Sequence, residues 1–151
     1  MSRRPSLAMR FRALRRDSRG STAVEFALIG PAMILVLLAV AQIGLQIQNY
    51  NAVRNLAADG SRYATVQYQQ GTRSTPNAIK TWMRTKAISG AYNLNTDRLD
   101  VVVTQDASPR IAGLVEMDIA ISYAAPEYLW SVAGKTLTIS YNRSVFLPPA
   151  S

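Results

Sequence analysis

Neither cysteine nor histidine occurs anywhere in the chain. Without cysteine there is no disulfide and no thiolate chemistry. Without histidine, Ser-His-Asp and Cys-His nucleophilic sites fall away, together with the commonest metal ligand. No glycine-rich phosphate loop is present. Serines and lysines occur, but no spacing fixes a Ser-Lys dyad. The nearest carboxylate pairs are Asp97/Asp100 and Glu116/Asp118. The second pair falls on the polar side of a predicted strand, where solvated charge is the ordinary state. The chain therefore reads as a non-enzyme, with no catalytic residue, no cofactor and no metal expected.

Acidic residues are also scarce where basic ones gather. Residues 1–20 hold seven arginines (Arg3, Arg4, Arg10, Arg12, Arg15, Arg16 and Arg19) against one acid, Asp17. That is +6 of the chain's net +8, which leaves +2 for residues 21–151. No aromatic–basic interleaving accompanies the arginines, so nucleic acid is not the expected partner. The basic segment instead abuts a long apolar run. Cationic segments beside a membrane helix stay on the cytoplasmic side. A length of 151 residues suits one modest domain plus an anchor.

From Phe26 to Leu45 nearly every residue is apolar. About 20 such residues make a helix long enough to cross the ~30 Å bilayer core. Gly30-Pro31 interrupts the run, where a modest kink is expected. Beyond it Ile43, Ile47, Tyr50, Val53, Ala57, Gly60 and Ala64 recur at three- and four-residue spacing among polar residues. This predicts an amphipathic helix continuing out of the membrane. No proline falls between Pro31 and Pro76. One helix from Ser21 to Val66 would be about 70 Å long at ~1.5 Å per residue. Gln69-Gln70-Gly71 ends or follows it.

Ser74-Thr75-Pro76 is a helix start, a hydroxyl cap followed by proline at the first helical position. Ile79, Trp82, Met83 and Ala87 share one face, and Ser89-Gly90 closes that helix. Three period-2 segments follow. Leu99, Val101 and Val103 form the apolar side of the first; Val115, Met117, Ile119, Ile121 and Tyr123 that of the second. Leu137, Ile139, Tyr141 and Val145 form that of the third, with Arg143 breaking it. The pattern predicts a small three-stranded antiparallel sheet with one face buried, covered by the two helices. The fold class is thus α+β. Four segments are expected: a basic leader (1–20), a transmembrane helix (21–45), an amphipathic extension (46–70) and an extracytoplasmic α+β domain (71–151). Tyr128, Leu129 and Trp130 are unusually apolar for the connection before the last strand. They read as a flap over the sheet end or as a contact patch.

The stretch richest in functional information is Arg15-Arg16-Asp17-Ser18-Arg19-Gly20-Ser21-Thr22-Ala23-Val24-Glu25-Phe26. A carboxylate at the edge of a spanning helix is costly, about 2.5–3.5 kcal/mol at a helix centre and less near the interface. Cleavage after Gly20 would free a cationic α-amine on Ser21, four residues from Glu25. Four residues is about one helical turn, so the two charges could pair. A neighbouring subunit's amine could serve the same purpose.

This arrangement resembles the prepilin peptidase site: basic leader, glycine at the cut, glutamate at the fifth mature position, then an apolar helix. The wider stretch resembles the TadE-like pseudopilins of tight-adherence (Flp-type) pilus systems. Those show Gly-x-x-x-x-Glu with an aromatic next, here Gly20 to Glu25-Phe26, and often an early proline, here Pro31. They also show an Ala-Ala-x-x-Gly-Ala/Ser-Arg-Tyr-Ala-like stretch, here Ala57-Ala58-Asp59-Gly60-Ser61-Arg62-Tyr63-Ala64. Phe26 stands where tyrosine is often seen in the pilins of these systems. The resemblance implies a pilin-like fold and a structural role in pilus assembly or secretion. It implies cleavage at Gly20/Ser21 by prepilin peptidase, with Glu25 and Phe26 serving recognition and assembly. The implied partners are other pilins or pseudopilins and the inner-membrane assembly platform. The implied location is the bacterial inner membrane, single-pass, with the N-terminus cytoplasmic. Ala57, Gly60 and Ala64 would let the helix lie close on the sheet or on another subunit's helix. Two alternatives accompany this reading. Ala39-Val40-Ala41 is an Ala-x-Ala site that would release a soluble secreted protein starting at Gln42. A general-secretion pseudopilin would share the leader but not the 57–64 stretch.

Overall fold

The computed structural model describes residues 18–72, 74–126 and 137–148. Its elements are helix α1 (Ser18–Gln69), helix α2 (Pro76–Ala87), one 3-10 turn (Thr96–Arg98), and strands β1 (Leu99–Gln105), β2 (Val115–Ala124) and β3 (Thr138–Leu147). The α+β class and the three-stranded sheet follow the sequence pattern. The arginine-rich segment before residue 18, expected as a leader, and the apolar connection at Tyr128, Leu129 and Trp130 lie outside the described residues. The chain divides into two compact units, Met1–Ala41 and Gln42–Ser151.

In the first unit the described chain is helix alone. It passes through Pro31 without a break in the helical assignment. The large apolar side chains from Val24 to Val40 are exposed, Phe26 at 75 % and Leu28 at 74 %. Leu, Ala and Val dominate here, and such a helix is long and apolar enough to cross a membrane. In water this surface would be a large unfavourable term, at about 25 cal/mol per Å² of apolar area.

In the second unit the sheet runs in the order β1-β2-β3, antiparallel throughout. Its register sets Val101 opposite Ile121, and Ile121 opposite Tyr141. Period-2 alternation sends Leu99, Val101, Met117, Ile119, Ile121, Val145 and Leu147 into one core. The helical segments cover it with Val53, Leu56, Ala57, Ala64, Ile79, Met83 and Ala87, all fully buried. α2 begins as its sequence requires: Thr75 caps it, its hydroxyl accepting from the Ala78 N–H at 3.3 Å, with Pro76 in the first turn. Ile79, Met83 and Ala87 are buried on one face, and Trp82 is half-buried beside them. α1 stops at Gln69. Gly71 takes a φ of +75°, and its N–H donates to the Tyr68 carbonyl while that of Thr72 donates to the Gln67 carbonyl. This paired closure needs a left-handed residue, which glycine adopts without strain.

Two sequence expectations need correction. The amphipathic stripe 43–64 is not one buried face. Val53, Ala57, Gly60 and Ala64 are buried, but Ile43, Ile47 and Tyr50 are exposed at 60, 57 and 44 %. The inward side of that first stretch is polar. Gln42 is buried and its amide donates to the Pro126 carbonyl at 3.2 Å, while the amide atoms of Gln46 are shut from solvent. Leu137 is the second correction. It was expected on the apolar side of the last strand, but it precedes β3 and is 49 % exposed.

Candidate cleavage and assembly site

Gly20, Ser21, Glu25 and Phe26 all lie on the first turns of α1. Because the helix is continuous from Ser18, Ser21 and Glu25 stand at i and i+4, one turn apart on the same side. Glu25 and Phe26 are exposed. A Cβ built on Gly20 would meet nothing within 4 Å. Packing therefore does not demand a glycine there, although a helical glycine costs about 1 kcal/mol relative to alanine. The same open space surrounds Gly44. What distinguishes Gly20 is its place in the sequence between the arginine-rich segment and Glu25.

The 57–64 stretch is occupied within the chain. A Cβ on Gly60 would come within 2.6 Å of Met83 Sδ, so glycine is what lets α1 and α2 approach at this point. Ala57 and Ala64 are fully buried in the same core. Ser61 turns its hydroxyl back onto the Ala57 carbonyl at 2.8 Å, and Thr65 does the same to the Ser61 carbonyl at 3.0 Å. Tyr63 stacks on Trp82 of α2, with ring centroids 4.5 Å apart and planes 7° from parallel. Asp59 accepts a hydrogen bond from the Tyr92 hydroxyl. Burial, then the bond to Asp59 and its negative charge, push the Tyr92 hydroxyl up to about 12 from its ordinary 10.0. Of the nine positions from 57 to 65, only Arg62 is exposed.

Sequence reasoning missed one polar centre. Glu116 was expected as a solvated charge on the outer side of β2, yet only 1 % of its surface is exposed. The loop between β1 and β2 folds Arg110 over it. The Arg110 backbone N–H donates to Glu116 Oε2 at 2.7 Å, its Nε donates to Oε1 at 2.6 Å, and its Nη2 donates to the Ser144 hydroxyl at 2.7 Å. The guanidinium also lies 5.3 Å from the centre of the Phe146 ring. The side-chain bond from Arg110, followed by the backbone bond, holds the Glu116 carboxyl below its usual range. Asp106 and Asp118 bring their oxygens within 4.8 Å of this carboxylate. The arginine supplies the counter-charge for the trio. The pairing thus fastens the β1–β2 loop to β2 and β3 (Arg110 is itself well exposed). An arginine six residues before a strand carboxylate was the available signal, but it lies outside the alternating pattern that marks the strand.

The family described as TadE-like protein matches residues 20–62. The match opens at Gly20, contains Glu25 and Phe26, and closes within the Ala57–Ala64 stretch. α2 and the sheet lie outside it. No curated protein and no solved structure matches the chain. Taken with the exposed apolar helix, the match supports a membrane-anchored, pilus-related protein of the tight-adherence kind. From Gly20 to Arg62, along α1 as far as its packing on the sheet, the chain is similar to the TadE-like family.

Proposed function

We propose that the protein is a TadE-like minor pseudopilin, a structural subunit of tight-adherence pilus assembly or secretion. In this reading residues 1–20 are a cytoplasmic leader, removed between Gly20 and Ser21 by a prepilin-type peptidase. Residues 21–45 cross the bacterial inner membrane, residues 46–70 extend the helix, and residues 71–151 form the extracytoplasmic part. The observation that carries the reading is where the family match begins and ends: at Gly20, and in the 57–64 stretch. The seven leader arginines support the orientation, since they would be costly to translocate. A secretory cut after Ala41 would divide the matched segment, which argues against that alternative. A general-secretion pseudopilin would explain the leader but not the Ala57–Ala64 resemblance.

In this account Glu25 compensates the new α-amine of Ser21, in the same subunit or in a neighbour. The resulting charge pairing lowers the cost of holding either group near lipid. Other pilins or pseudopilins and the inner-membrane assembly platform are the partners. The test uses Glu25→Ala and Glu25→Gln. Both variants should insert, because losing a charge makes the helix more apolar, and both should still be cleaved. Crosslinking to other pilus components and surface adherence should fall sharply for Glu25→Ala. Glu25→Gln should fall too, because a charge-assisted bond is roughly twice as strong as a neutral one. Parental levels of crosslinking and adherence in Glu25→Ala would remove the assembly role from this carboxylate.

A further inference from the structure

The sheet has two outer edges, and they differ. At the β1 edge, α2 packs alongside, and Arg84 of α2 donates to the Leu99 carbonyl at 3.3 Å and the Thr96 carbonyl at 3.5 Å. That edge is partly closed by the chain itself. The β3 edge is ten residues long, and among the described residues no group hydrogen-bonds to its outward-facing peptides. An open edge of that length is a template for another strand.

A groove of about 390 Å³ runs along this edge, between β3 and α1. Its β3 wall is four consecutive residues, 143–146. Successive side chains of a strand point to opposite faces, so four in a row share one groove only where the groove meets the strand edge-on. The groove therefore reaches the unpaired peptide groups. It also holds two cations, Arg62 from α1 and Arg143 from β3. Both are exposed, and neither side chain has an ion pair or hydrogen bond among the described residues. Arg143 stands on the inward side of β3, in register with the buried Ile119 and two residues from the buried Val145.

An inward-pointing charge on an edge strand normally blocks strand addition, because a second strand would strip the charge of water. Here the block is selective. A strand added at β3 would set one of its inward side chains beside Arg143, with Arg62 across the groove. An apolar side chain there would leave the guanidinium poorly solvated, and a lysine would repel both arginines. An aspartate or glutamate would pair with them. We propose that the outer edge of β3 is a docking edge for an extended acidic segment of another protein. Main-chain pairing to β3 supplies the binding, and a carboxylate held by Arg143 and Arg62 selects the partner.

The test uses the full chain in detergent micelles and a fluorescent eight-residue peptide of alternating threonine and valine. One central valine is replaced by glutamate, glutamine or lysine, and a fourth peptide carries the glutamate with its edge-facing amides N-methylated. Anisotropy titration should show the glutamate peptide binding at least about tenfold tighter than the lysine peptide, the scale of one well-placed charge pair. In Arg143→Gln the preference should fall to near unity, and in Arg62→Gln it should fall several-fold, with unchanged melting temperatures. N-methylation should abolish binding. Equal affinity for glutamate and lysine peptides would overturn the charge selection. Undiminished binding of the N-methylated peptide would reveal a bare anion site, of the kind phosphate would also fill, and would overturn strand docking. Absence of binding by every peptide would overturn the proposal as a whole.

Discussion

Two stretches of α1 carry apolar residues in opposite ways. From Val24 to Val40 the large side chains face outward, with Leu37 66 % exposed. Between Val53 and Ala64 the residues are smaller on average, and Val53, Leu56, Ala57 and Ala64 are fully buried. The backbone is the same hydrogen-bonded helix in both, so the difference lies in what covers the side chains. For 53–64 the cover is the chain's own sheet and α2. For 24–40 the side chains are exposed, and composition matches that demand: long aliphatic side chains suit lipid, whereas glycine and alanine suit a closely packed interior. The intervening stretch mixes the two, with apolar Ile43, Ile47 and Tyr50 outward and polar Gln42 inward.

The sharpest way to break this comparison is a matched truncation. Leu56→Ala should destabilise the folded unit by about 2–5 kcal/mol, the range for emptying a well-packed leucine site. Leu37→Ala should change it by less than about 0.5 kcal/mol, as expected for an exposed position. Urea unfolding of the chain in detergent micelles, followed by the fluorescence of the stacked Trp82, measures both. Comparable losses at the two positions would mean that the span contributes to the fold's own core.

A second pair contrasts two glycines of the same helix. Gly60→Val should cost about 1–3 kcal/mol, because its side chain must displace the fully buried Met83. Gly44→Ala meets nothing and should be neutral or stabilise by up to about 1 kcal/mol through helix propensity. Adding Met83→Ala should recover part of the Gly60→Val loss and none of any change at Gly44. The same urea midpoints decide this.

Smaller effects appear only at the extremes of pH, and only in the folded unit. The folded Glu116 carboxyl is depressed, so its contribution is present above the ordinary carboxylate value near 4.5 and is lost as pH falls through the folded value. Glu116→Gln should flatten the acid limb of the stability–pH curve. Tyr92 is raised, so its contribution is complete below the ordinary value of 10.0 and is lost between there and about 12. Tyr92→Phe should remove that alkaline slope. Melting temperatures across pH 3 to 12 in matched buffers would read both slopes, and unchanged limbs in the variants would contradict the assigned pairs.

These contrasts also show what the sequence could reveal. Strand alternation was legible because β1, β2 and β3 each bury one face against the same core, so Val101, Ile121 and Val145 announce themselves. The start of α2 was legible because Thr75 and Pro76 act locally. The division of the 43–64 stripe was not. Periodicity marks an apolar side but carries no information on whether the chain itself covers it. The burial of Glu116 was equally hidden, since Arg110 reaches it from a loop with no repeating pattern. Gly20, Glu25 and Phe26 stood out as a motif rather than through packing, and the structure shows no packing need for glycine at position 20.

The proposed role requires Gly20 to be the point where the leader ends and a mature membrane subunit begins. Intact mass and N-terminal sequencing of the protein extracted from membranes of cells with an active prepilin-type peptidase test this directly. We expect a single species beginning at Ser21, and a full-length precursor when Gly20 is replaced by a bulky residue. A native N-terminus at Gln42, or an uncleaved chain beside an active peptidase, would contradict it.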